Sequence, residues 1–148
     1  MPVASEVLIR IRVRETEDGC ADESRTEYRG RLLEREGTRI LHYEDLIEGE
    51  KEAVQTTVFI RKDRVEIHRR GPADSRLVYI PGAWTACDYR TPLGSLDLRI
   101  YTDKCRIRTL PGRIIKLVLS YRLEIRGQDA GQRDLTIEAL PSDPTVRA

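Results

Sequence analysis

Ile114-Ile115-Lys116-Leu117-Val118-Leu119-Ser120-Tyr121-Arg122-Leu123-Glu124-Ile125-Arg126 is the stretch that decides the fold. Ile115, Leu117, Leu119, Tyr121, Leu123 and Ile125 fall on every second position, and Lys116, Val118, Ser120, Arg122, Glu124 and Arg126 fall between them. A period of two puts the first set on one face of an extended strand and the second, mostly polar, on the other. A helix would need a period of about 3.6. A strand this long with one wet face belongs to an antiparallel sheet, as the wall of a barrel or of a strongly coiled sandwich.

The same alternation spreads outward from this strand. Val7, Ile9, Ile11 and Val13 alternate with Leu8 and three arginines, which predicts a first strand. Residues 15–24 are acidic and contain Gly19, a loop composition. Thr26, Tyr28, Gly30 and Leu32 share the next face, and a glycine in mid-strand predicts a bend or bulge. A short strand over 39–44 precedes a charged loop over 45–52 with room for one helical turn. Val54, Thr56, Val58 and Ile60 form another face. Turns follow at 61–64, 71–74, 81–82, 91–94, 111–112 and, from its polar composition, 128–132. The spacing predicts about ten strands, no helix and one domain over residues 1–140, with 141–148 as a tail.

At 148 residues the chain is large enough for a single core. Its net charge of +1 and 5% aromatic content argue against a nucleic-acid partner. All but four of its 26 basic residues (Lys51, Lys62, Lys104 and Lys116 are the exceptions) are arginines. These supply planar forks for carboxylate, phosphate or aromatic contacts. Cys20, Cys87 and Cys105 are odd in number and lack CxxC spacing, which argues against a zinc knuckle or a disulfide framework. The first residues lack the pattern of a secretory leader. No apolar run approaches the ~20 residues of a membrane helix. The expectation is a cytoplasmic protein, a monomer or homodimer, with no membrane partner.

Val65-Glu66-Ile67-His68-Arg69-Arg70-Gly71, then Ser75-Arg76-Leu77-Val78-Tyr79 and Gly82, then Tyr89-Arg90-Thr91-Pro92-Leu93-Gly94 and Thr102, carry a resemblance. Together with Tyr43-Glu44 and the strand from Ile114, they make the chain resemble the YwiB-like family of uncharacterised bacterial proteins. The resemblance implies a calycin-like (lipocalin-like) antiparallel β-barrel of about 8–10 strands in the bacterial cytoplasm. It implies no reaction.

No catalytic pattern is present: no GxSxG, HExxH, P-loop or glycine-rich dinucleotide motif. No metal set or cofactor is expected. Asp88 and Asp97 flank a turn and can face one another across a hairpin. Arg69 shares strand parity with Val65 and Ile67, so it points inward. A guanidinium there needs a partner, either a structural acid such as Glu44 or the anionic group of a ligand. Tyr79 and Tyr121 lie in inward rows, as core filler or as hydrogen-bonding anchors. Trp84, the sole tryptophan, stands where it can plug or cover the barrel. Arg69, Tyr79, Tyr121, Trp84 and Tyr43 are therefore the candidate site for a small, partly apolar anion. The alternative is an interaction module whose outer row Arg10, Arg12 and Arg14, with Arg29 and Arg31, contacts RNA or an acidic protein.

Overall fold

The computed structural model describes residues 3–45 and 53–142. Ten strands follow one another: β1 (Val3–Glu17), β2 (Cys20–Arg35), β3 (Thr38–Asp45), β4 (Val54–Ile60), β5 (Val65–Arg70), β6 (Asp74–Tyr79), β7 (Trp84–Thr91), β8 (Gly94–Leu110), β9 (Ile114–Ile125) and β10 (Gln128–Pro141). Each runs antiparallel to its neighbours in sequence, and β10 pairs with β1, so the sheet closes into a barrel. The expected all-β antiparallel barrel is the observed one. Residues 46–52 and 143–148, which hold most of the expected charged loop and tail, lie outside the described residues. Ser142 is within them, and its N–H donates to the Glu6 carbonyl at 3.1 Å.

The alternation in β9 becomes burial. Leu117 and Leu119 are fully buried, and Ile115, Tyr121 and Leu123 nearly so, whereas Arg122 is exposed. Ile9, Leu41, Val58, Val65, Ile67 and Ile100 meet them from the other strands in one core. Removing this apolar surface from water, at about 25 cal/mol per Å², is the main favourable term.

Three local expectations are corrected. Residues 15–24 are not a loop: β1 and β2 run through them and turn at Asp18-Gly19, with φ of 51° and 77°. Two consecutive positive φ values suit the twist of a two-residue hairpin, and Asp-Gly is the pair that adopts them at low cost. The last hairpin likewise turns at Arg126-Gly127 (φ 54° and 77°), so the polar residues 128–132 belong to β10. Gly30 is no bulge: the β1–β2 register runs unbroken through it, and the β2–β3 pairing starts from it without a shift. A Cβ at Gly30 would lie 2.6 Å from Ile9 Cδ1 and 2.5 Å from the His42 carbonyl oxygen. The glycine is there for close approach.

The barrel has two unequal walls. β1, β2, β8, β9 and β10 have 12 to 17 residues each, and β3 to β7 only 6 to 8. β2 therefore pairs with β3 only over Gly30 to Arg35, and β8 pairs with β7 only over Gly94 to Tyr101. Past that point β8 shifts register against β9 between Thr102 and Lys104, a bulge that carries the strand on without β7. The β6–β7 loop covers the bulge, with Gly82 N–H donating to the Thr102 carbonyl at 2.8 Å. No helix of the described residues is long and apolar enough to cross a membrane.

Candidate ligand site at the barrel rim

The short wall carries a row of polar residues at one end of the barrel interior. Tyr43 of β3 stands opposite Thr56 of β4, Thr56 opposite Arg69 of β5, Arg69 opposite Ser75 of β6, and Ser75 opposite Tyr89 of β7. All share the inward parity, and all carry hydrogen-bonding side chains. One step deeper the row becomes Leu41, Val58, Ile67 and Leu77. The polar arc is thus the upper boundary of the apolar core. Thr56, Tyr43 and Ser75 are buried, Tyr89 half-buried and Arg69 exposed. Arg69 places its stem over the core and its charge at the rim.

The tyrosines define what lies beneath. Tyr43 stacks on Tyr28 with ring centroids 4.6 Å apart. Gly30, between them in the register, leaves the room for this. The Tyr28 hydroxyl donates to Asp45 at 3.0 Å, and burial together with that carboxylate pushes its pKa up to about 12. Burial also raises the pKa of Tyr43, against the pull of the Arg69 charge and the Thr56 hydrogen bond. Deeper, the fully buried Tyr79 meets Tyr121 edge-on at 4.8 Å. Burial and Tyr121 hold the Tyr79 hydroxyl well above its usual range, and the Arg69 charge again opposes them. Thr102, opposite Tyr121, is fully buried, and its hydroxyl has no partner among the described residues.

Four of the five expected site residues therefore face the interior. Arg69 acts electrostatically on both Tyr43 and Tyr79, and Tyr79 touches Tyr121. Trp84 does not join them. Cys87 and Tyr89 face inward on β7, so Trp84, at an odd number of positions from each, faces out. It is 42% exposed, 5.4 Å from Tyr101, with the Arg99 guanidinium 5.0 Å over its ring. It closes neither end. The expected pairing of Arg69 with Glu44 also fails: Glu44 is exposed on the outer face, opposite Gln55. Instead Arg69 and Ser75 border a hollow of about 200 Å³ whose other lining residues, His68, Arg70, Asp74, Arg76, Asp88 and Arg90, have the outward parity, so it opens on the outer side of the rim.

The outer wall holds further charge. Glu66 faces outward yet is buried, with Arg61 and Arg76 nitrogens at 3.2 Å, His68 Nε2 at 3.1 Å and Arg64 Nε at 3.7 Å. Arg10 pairs with Glu27 at 2.7 Å, beside a shallow groove of about 680 Å³ that also includes Arg12, Arg25 and Glu138. Arg29 and Arg31 stand opposite Leu8 and Glu6. Asp88 and Asp97 do face one another across the β7–β8 hairpin, both exposed.

Residues 9–137 match the family model described as Domain of unknown function (DUF1934). The chain belongs to the DUF1934 family. Its fold is similar to that in the crystal structure of ywiB protein from Bacillus subtilis, with a TM-score of 0.83 over 95% of this chain and 94% of that one. At 16% identity that likeness is one of fold. No curated protein matches the chain. The YwiB-like family expected from the motifs is thus the one found, and its barrel here has ten strands where a lipocalin has eight. Within this DUF1934 barrel, sequence reasoning missed Tyr28, Thr56, Ser75, Tyr89 and Asp45 as companions of Arg69. The alternation had placed Tyr28 and Thr56 on interior faces. Which residues lie side by side depended on the register between strands, which no single strand encodes.

Proposed function

We propose that this protein binds a small molecule with an anionic group and an apolar part at the rim of the barrel, with Arg69 as the anchor. The observation that carries this reading is the position of Arg69: it stands in the middle of a row of inward hydrogen-bonding side chains, is itself exposed, and borders a hollow that Arg70 and Arg90 line together with Asp74 and Asp88. Guanidinium groups take carboxylates and phosphates in bidentate fashion. Thr56 and Ser75, on either side, offer hydroxyls, and Tyr43 an aromatic edge. The deeper interior is filled by Tyr79, Tyr121 and the aliphatic core, so the ligand sits on the core. A hollow of this size suits an anionic head rather than a whole drug-sized molecule. The alternative, an outer face that contacts RNA or an acidic protein, has less support. The first arginine of its row, Arg10, is engaged by Glu27, and the chain has almost no net charge.

Thermal melting with phosphate, benzoate and a medium-chain fatty acid, for the wild type and Arg69→Met, tests the proposal. An anion should raise the melting temperature of the wild type and leave Arg69→Met unmoved, because a ligand of the folded state stabilises by mass action. Equal shifts in both proteins, or none with any of the three, would refute it.

A further inference from the structure

We infer that the protein forms a two-fold dimer by pairing β2 with β2 of a second copy. Among the described residues, Cys20 to Arg29 pair with β1 alone, because β3 reaches only to Gly30. The side chains from Cys20 to Glu27 are all exposed. A free strand edge of this length is a template for another strand.

The hairpin fixes which groups are on offer. With a two-residue turn at Asp18-Gly19, Glu17 and Cys20 form the hydrogen-bonded pair that closes it. The backbone N–H and C=O of Cys20, Asp22, Ser24 and Thr26 then point to β1. Those of Ala21, Glu23, Arg25 and Glu27 point out from the barrel edge.

An antiparallel pairing about a two-fold axis at Ser24 sets Glu23 against Arg25 of the second copy, and Arg25 against Glu23. Both are edge-facing residues, so they would form hydrogen-bonded pairs with opposite charges directly across. An axis one residue further on, at Arg25, would set Arg25 against itself and Glu23 against Glu27. An axis at Thr26 would run the second copy into the Gly30–Arg31 segment already held by β3. The charges and the free length agree on Ser24.

The other long-wall edge has the opposite character. Beyond Tyr101, β8 leaves β7 but carries a bulge and the outward row Lys104, Arg106 and Arg108, all of one sign. Two such edges repel. Bulges and basic side chains are the usual means of keeping an edge unpaired; the free stretch of β2 has no bulge and mixes acidic with basic side chains.

The test is a charge swap at exposed positions, followed by sedimentation over a concentration series. The wild type should dimerise. Glu23→Arg should weaken the dimer at least about tenfold by placing arginines opposite one another at both symmetric pairs. Glu23→Arg combined with Arg25→Glu should restore it. A wild type that stays monomeric, or a dimer indifferent to Glu23→Arg, overturns the inference. So does growth beyond the dimer, which would indicate head-to-tail pairing of β2 with the basic β8 edge. Arg69→Met should leave the dimer unchanged, which separates this surface from the rim.

Discussion

Glu66 shows how one side chain is set by opposing effects. Burial works to raise its pKa, but His68, Arg76 and Arg61 outweigh that and hold it below the ordinary 4.5. A carboxylate with a lowered pKa in the folded state contributes stability above its unfolded pKa and loses it as the pH falls through the folded value. Glu66→Gln should therefore cost about 1–3 kcal/mol at neutral pH, a range kept low because the three arginines are one-third to over half exposed. The gap between the two proteins should narrow as the pH drops below 4.5, where the wild type loses the charge and the variant has none to lose. Urea denaturation of both at neutral and acid pH checks this, and a gap independent of pH would contradict it. The sequence held only part of this site. Strand parity puts Glu66 and His68 on one face, but Arg61, Arg64 and Arg76 come from neighbouring segments.

At the scale of elements, β9 was legible, and of the hairpin tips those of β1–β2 and β9–β10 were not. Strict alternation over β9 predicts Leu119 in the core, and the residue is fully buried. Leu119→Ala should cost roughly 2–5 kcal/mol, the range for truncating a buried leucine into a cavity. A shift in the denaturation midpoint at constant slope would show it, and a loss under about 0.5 kcal/mol would deny the register. Residues 15–24 misled because their acidic composition resembles a loop, while the decisive signal was the single pair Asp18-Gly19. Trp84 misled for another reason. A lone large aromatic suggests a plug, but the structure turns Cys87 and Tyr89 inward on β7, and Trp84, at odd spacing from both, faces out. The rim arc stayed hidden because Tyr43, Thr56, Arg69, Ser75 and Tyr89 come together only through four successive cross-strand registers.

For the whole molecule, one check concerns the three thiols, which are all free in the structure: Cys20 exposed, Cys105 half-buried and Cys87 buried. Burial raises the pKa of Cys87 and Cys105, which lowers their thiolate fraction and their reactivity. Titration of the native protein should modify Cys20 first, and unfolding without reductant should release all three. Fewer than three would mean a bridge that the barrel does not contain. The seam between β1 and β10 has a consequence of a different kind. Nine of the ten strand pairings join neighbours along the chain and can form as hairpins, but Val7 pairs with Pro141. Such a pairing closes a loop almost as long as the chain, the slow kind of contact in folding. On the ribosome, where chains emerge from the N-terminus onward, β1 waits beside β2 with Ile9 and Ile11 half-covered until β10 is made. The ring shuts last, and the first strand synthesised is the last to be secured.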